Sequence, residues 1–256
     1  MSPHRPRKRF GQHFLRDPGA IDAIVRAIAP GADDTIVEIG PGEGAITRSL
    51  AARAGILHLV ELDRDLAARL RRDFKDQANV IIHEADALRF DYASIDGPLR
   101  IVGNLPYNIS TPLLFRLLEY RDRISDMHFM LQKEVVDRMA ASPGSKAYGR
   151  LGIMLGCHFD IEALFDVDPL AFDPPPEVMS SVVRLIPLPE DTFDIRDEKA
   201  LSALVAQAFS QRRKTIRNAL KKVVDVSELE AAGIDPSLRP EAIAIADYVR
   251  LANTIE

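Results

Sequence analysis

The chain has 256 residues, 46% hydrophobic and 28% charged, enough for one large domain or one domain with a smaller companion. A single cysteine, Cys157, excludes an internal disulfide and a cysteine metal cluster; no apolar run approaches the ~18 residues of a membrane span, so no membrane partner is expected. The net charge of −5 does not announce a nucleic-acid partner, but its distribution is uneven. Arg5, Arg7, Lys8, Arg9 and Arg16 precede the first acid, Asp17. A second acid-free run holds Arg212, Arg213, Lys214, Arg217, Lys221 and Lys222, and a weaker one holds Arg138, Lys146 and Arg150. Such clusters on an acidic protein suggest local phosphate-binding patches. The basic N-terminus lacks the apolar core of a signal peptide, and a reducing, cytoplasmic setting is expected.

Residues 1–16 read as irregular. Asp17 caps a helix with Pro18 at its first position, and Ile21, Ile24, Val25 and Ile28 form its apolar stripe. Strands are expected at Thr35–Ile39, Leu57–Leu62, Val80–Glu84, Leu99–Gly103 and Met127–Leu131, with helices between them carrying Leu50, then Leu66, Leu70 and Phe74, then Leu114, Leu117 and Leu118. A helix follows from Lys133. Ala141–Tyr148 reads as a mobile loop, Leu151–His158 as helix, and Ile161–Val167 and Val182–Ile186 as strands flanking a proline-rich segment. Strands alternating with helices specify a mainly parallel sheet covered on both faces, an α/β fold. Beyond Pro187-Leu188-Pro189 the pattern is helical only. Leu201, Leu204, Val205, Ala208 and Phe209 make one stripe and Ile216, Leu220 and Val223 another. Ser227 and Glu230 have capping-box spacing, and Pro240-Glu241 opens a last helix. Two domains are expected, 1–189 and an all-helical 190–256.

Three strand ends carry the groups of a nucleoside-cofactor pocket. Gly40-Pro41-Gly42-Glu43-Gly44 follows the first strand, where glycine permits a tight turn and close backbone approach. Its G-x-G-x-G spacing differs from the dinucleotide pattern. Glu38 just before it suits the ammonium of an amino-acid tail better than a pyrophosphate. Glu61, about twenty residues on, stands where a carboxylate grips ribose hydroxyls. Asp86 after the third strand can accept from an adenine amino group. Together they describe a pocket for S-adenosylmethionine. The fourth strand delivers Asn104-Leu105-Pro106-Tyr107. An amide, a backbone fixed by proline and an aromatic face suit an amino-bearing base.

These segments resemble a known family. Asn-Leu-Pro-Tyr at 104–107 looks like the signature of amino-group methyltransferases. Gly-Gln-His-Phe-Leu at 11–15, Glu-Ile-Gly-Pro-Gly at 38–42, Asn-Leu-Pro-Tyr-Asn-Ile-Ser at 104–110 and Phe-x-Pro-x-Pro-x-Val-x-Ser at 172–180 are similar to those of the ribosomal RNA adenine dimethyltransferases. Phe-Ser-Gln-Arg-Arg-Lys-Thr-Ile-Arg-Asn at 209–218 resembles the bacterial small-subunit branch.

The resemblance implies a Rossmann-like S-adenosylmethionine-dependent methyltransferase sheet with a small C-terminal helical domain. It implies transfer of methyl groups to N6 of two adjacent adenosines in the 3′-terminal hairpin of 16S rRNA, within the small ribosomal subunit and in its biogenesis. His13 (where the family often has Asn), Leu15, Gly40, Glu61, Asp86 and Asn104 would hold the cofactor. Asn104 with the Leu105 or Pro106 carbonyl would grip the amino group, and Tyr107 and Phe172 would hold the base. No metal is needed and a monomer suffices. The alternatives are a large-subunit rRNA adenine methyltransferase, a mainly non-catalytic assembly factor for the small subunit, and a nicotinamide dehydrogenase, the last weakened by the glycine spacing.

Overall fold

The computed structural model describes residues 13–106 and 109–255. The chain forms two compact units. The first runs to Val136 and resumes at Glu162–Pro187; the second comprises Asp137–Ile161 and the chain from Leu188 onward. The expected single boundary near 190 therefore falls within two residues of one crossing, while 137–161 lies with the C-terminal helices. No break in composition marks that excursion, so the sequence carried no sign of it.

In the first unit, β1 (Phe14–Leu15) pairs with β8 (Phe172–Asp173). The main sheet holds β2 (Thr35–Ile39), β3 (Ile56–Glu61), β4 (Val80–Glu84), β5 (Leu99–Asn104), β6 (Ile124–Gln132), β7 (Phe159–Val167) and β9 (Ser180–Pro187). Their order is β4-β3-β2-β5-β6-β9-β7. Strands β2 to β6 pair in parallel and β9 runs antiparallel to β6. Helices α2 (Thr47–Ala51), α3 (Arg64–Asp73), α4 (Ser110–Leu118) and α5 (Lys133–Met139) fill the crossovers, α5 running across the boundary between the units. The chain order reverses between β2 and β5, which opens a crevice beyond their C-terminal ends. The two strands come close there because residue 103 is glycine. A Cβ at Gly103 would lie 2.5 Å from the Ile39 carbonyl oxygen.

Helix α1 (Pro18–Ile28) starts as expected, with Asp17 accepting the Ala20 N–H at 2.7 Å. Ile24, Val25 and Ile28 pack into the same core as Ile36, Val102, Met130 and Val182. Arg100 anchors the far end of α1. Its guanidinium donates to the Ile28 carbonyl at 2.6 Å and the Ala29 carbonyl at 3.2 Å. It also holds Asp34 at 2.6 Å and Asp126 at 2.8 Å. A cation thus meets the unpaired carbonyls and negative dipole of a helix C-terminus.

The second unit holds α6 (Arg150–Gly156), α7 (Glu198–Ser210), α8 (Ile216–Leu220), α9 (Val226–Ala231) and α10 (Ile245–Ala252). Tyr148, Phe209 and Tyr248 form a chain of ring contacts at 6.4 and 6.2 Å. The 141–148 segment, expected to be mobile, is tied down here. Gly144 donates to the Glu241 carbonyl at 2.6 Å and Arg212 to the Lys146 carbonyl at 2.5 Å.

Three local expectations are corrected. The capping box is Asp225 with Glu228, two residues earlier than expected, because Asp225 precedes the first helical turn and Ser227 lies inside it. Val224 is buried and Val223 is 47% exposed, since α8 ends at Leu220 and the stripe does not continue in phase. Pro240–Ala242 makes a single tight turn, and α10 begins only at Ile245.

Candidate active site

A cavity of about 400 Å³ opens beyond the ends of β2, β3 and β5. It is lined by the sequence-nominated His13, Leu15, Gly40, Glu61, Asp86 and Asn104, along with Leu105 and Pro106. The β1–β8 pairing brings His13 and Leu15 there, a strand that the sequence reading left irregular because two residues carry no period. His13 Nδ1 lies 2.8 Å from the Pro174 carbonyl.

Glu61 organises the glycine loop. Its Oε1 accepts the Asp63 N–H at 2.8 Å and its Oε2 accepts the Gly42 N–H at 3.1 Å. Burial pushes its carboxyl above the ordinary range, against those two donors. Gly42 has φ +59°, and a Cβ there would come within 3.2 Å of the Phe14 ring. The third strand end is braced by Asp86, whose Oδ1 accepts the Leu88 N–H at 2.9 Å.

Asn104 sits at the tip of β5, and its Nδ2 donates to the His13 carbonyl at 3.2 Å. A backbone carbonyl can only accept, so the amide orientation is settled: nitrogen toward His13, leaving Oδ1 as the acceptor. Two backbone bonds hold the next turn. The Leu105 N–H reaches the Met130 carbonyl at 3.1 Å, and the Pro106 carbonyl accepts the Ile109 N–H at 3.1 Å. The Pro106 carbonyl, one of the two expected to grip the amino group, thus already accepts a hydrogen bond from the turn into α4.

Two further expectations change or fall outside the description. Phe172 is 5% exposed and belongs to the apolar core, opposite Leu15 in the β1–β8 register. It is not among the residues that line the cavity. Tyr107 lies outside the described residues, as do Arg5, Arg7, Lys8 and Arg9.

Glu38 is strongly perturbed. It is 2% exposed, and Oε2 has no hydrogen-bond partner among the described residues. Burial, only partly offset by the nearby Thr47 hydroxyl and reinforced by Glu61, pushes its carboxyl up to about 8. Thr47 faces it without completing a full hydrogen bond. A buried acid with an open oxygen fits a site made for a cationic group. The residues present therefore fit a nucleoside bearing an ammonium tail: glycine backbone, carboxylates at the ends of two strands, and an orphaned acid on the strand beside them.

Fold and site together define an S-adenosylmethionine-dependent methyltransferase. The family model described as "Ribosomal RNA adenine dimethylase" matches residues 3–256. The chain is 56% identical over 254 residues to a protein from Chromobacterium violaceum named ribosomal RNA small subunit methyltransferase A, covering 99% of this chain and 97% of that one. A dimethyladenosine transferase from Plasmodium falciparum superimposes with TM-score 0.82 at 26% identity, over 93% of this chain and 96% of that one. The 23S rRNA methyltransferase ErmE follows at TM-score 0.77 and 27% identity, over 94% and 99%. The chain belongs to the ribosomal RNA adenine dimethylase family, and it is an rRNA methyltransferase.

The Glu38 environment makes a prediction for the cofactor-free protein. An acid whose pKa rises on folding, here from 4.5 to about 8, costs nothing below its unfolded pKa. Its cost grows as pH rises from the unfolded value and levels off above the folded one. The Tm of the cofactor-free protein should therefore fall between pH 5 and 8. Glu38→Gln should flatten that fall and raise Tm at pH 8 by roughly 2–8 °C. A slope in E38Q equal to wild type would contradict a buried, proton-bound Glu38.

Proposed function

We propose that this protein dimethylates N6 of two adjacent adenosines in the 3′-terminal hairpin of 16S rRNA, as a cytoplasmic monomer acting on the small subunit during its biogenesis. The observation that carries the chemistry is the fixed Asn104 amide, which lines the cavity with its nitrogen committed to the His13 carbonyl. The small-subunit assignment is supported by the 56% identity to the Chromobacterium protein of that name, against 27% to the 23S rRNA enzyme.

In this reading Glu61 takes the ribose hydroxyls and Asp86 the adenine amino group of the cofactor. Gly40, Leu15 and the His13 backbone line the methionine end, and Glu38 meets its ammonium. The bound cofactor supplies an electrophilic methyl group on a sulfonium. The chain's own task is then positioning and electrostatics. Adenine N6 is a weak nucleophile because its lone pair is delocalised into the ring. Asn104 Oδ1 and the Leu105 carbonyl accept its two hydrogens, which draws the nitrogen toward tetrahedral geometry and frees the pair. Tyr107 stacks on the base once it leaves the helix. Phe172 acts from behind, by holding the β1–β8 pair that carries His13 and Leu15. Monomethyladenosine keeps one N–H, so the second transfer proceeds on one of the two acceptors.

RNA contacts lie mainly outside this pocket, on phosphates and shape. Arg213, Lys214, Arg217, Lys221 and Lys222 are exposed on the second unit. Arg212 is engaged, holding Lys146 and pairing with Glu241 at 3.8 Å. Arg16 pairs with Glu43 at 2.5 Å.

Labelled S-adenosylmethionine, undermethylated small subunits and nucleoside analysis test the assignment. N6,N6-dimethyladenosine in 16S rRNA is expected. Label confined to 23S rRNA, or no product, would overturn it. Replacing Arg213, Lys214 and Lys221 by Ala should weaken subunit binding and reduce the slope of log K against log salt by roughly 2, at about 0.7–0.9 per lost phosphate contact. An unchanged slope would remove these residues from the interface.

A further inference from the structure

The cavity has a deeper row of side chains directly under Asn104. On one face of the sheet the register aligns Leu59, Glu38, Val102, His128 and Arg184 across β3, β2, β5, β6 and β9. Two residues further along the strands, the next row on that face carries Glu61, Asn104, Met130 and Val182. Glu38 and His128 thus flank Val102 one row below Asn104. Rows on one face are about 7 Å apart, a span that one or two waters bridge.

His128 is 4% exposed and lines the same cavity as Asn104. No hydrogen bond within normal distance reaches either ring nitrogen among the described residues. Nδ1 stands 3.5 Å from Asp126 Oδ1. Burial works against ionised Asp126, but His128 and Arg100 hold its carboxyl below the ordinary range. A carboxylate only accepts, so it selects the tautomer with the proton on Nδ1 and leaves Nε2 as a bare lone pair. Around the ring, Asp126 lies on its own strand and Arg100 on β5 is committed to Asp126 and Asp34. Its β9 neighbour Arg184 pairs with Glu162. Glu38 stands two strands away, and α1 offers only apolar side chains to this part of the cavity. A buried base beside a carboxylate, one row beneath Asn104, has the arrangement of a proton acceptor.

We propose that His128 accepts, through water, the proton that N6 releases on methylation. The inference rests on Asn104 holding the amine. When N6 bonds to the methyl carbon, the carbon–sulfur bond breaks and its electron pair stays on sulfur. N6 then carries a positive charge until it loses one hydrogen as a proton. The intervening water passes that proton to Nε2, giving an imidazolium stabilised by Asp126. Exchange with solvent through the open cavity restores the neutral ring.

Two measurements test this. In the cofactor-free protein labelled with ¹⁵N-histidine, NMR should show His128 as the Nδ1–H tautomer at neutral pH; an Nε2–H tautomer would overturn the proposal even without a variant. In single turnover with the complete enzyme and small subunits, wild-type transfer should slow toward acid pH. His128→Gln should be at least about tenfold slower at pH 7.5, lack that acid limb, and keep cofactor affinity within twofold. A wild-type rate in H128Q would refute the role. So would an equal slowing at every pH with the limb intact, which marks packing alone. If Asn104→Ala is inactive while H128Q is unaltered, only the His128 proposal fails. If Asn104→Ala turns over normally, the amine-holding reading fails first.

Discussion

One hydrogen bond sets the site: the Asn104 side-chain nitrogen to the His13 carbonyl, at 3.2 Å. An unconstrained amide presents donor and acceptor with little preference. Here the partner can only accept, so the oxygen is the group left to an incoming amine. The bond depends on a chain of supports. The His13 segment stays in place because β1 pairs with β8, and β8 is anchored by Phe172 in the core. Asn104 stays at its strand tip because Leu105 bonds to Met130 and the turn closes on Ile109. Damage to any of these loosens the amide before it touches the chemistry.

The sheet supplies the second constraint. Parallel strands of reversed order leave a crevice at β2 and β5, and the strands close on it only because Gly103 has no side chain. Side chains at the crevice then stand in rows fixed by strand register. The upper row carries Glu61 and Asn104; the lower carries Glu38 and His128. Holding Glu38 in the lower row is costly, as its raised pKa shows. Stability is given up where a cationic tail and a departing proton must be accommodated.

Much of this was legible in the sequence. Thr35–Ile39 and Val80–Glu84 are legible to the residue because each is a short, mainly apolar run between turn signals. The carboxylates at 61 and 86 were found because strand ends are where such folds bind ligands. Other features leave little trace. A two-residue strand such as β1 has no period. Phe172 reads as a base-pocket residue only through the family resemblance; as an apolar aromatic it reads as core, and the core is where it lies. The excursion of 137–161 into the second unit depends on tertiary packing. His128 passed unremarked because a lone histidine in an apolar strand is indistinguishable, in sequence, from core. Its register beside Val102 and its contact with Asp126 give it significance.

The most direct measurement is single-turnover methyl transfer by Asn104→Ala to undermethylated small subunits, with cofactor affinity and Tm measured on the same preparation. A fixed Asn104 oxygen as the amine acceptor requires transfer to fall by at least about a hundredfold. The fold should be retained and cofactor binding reduced far less than transfer. Turnover within a few fold of wild type would contradict it.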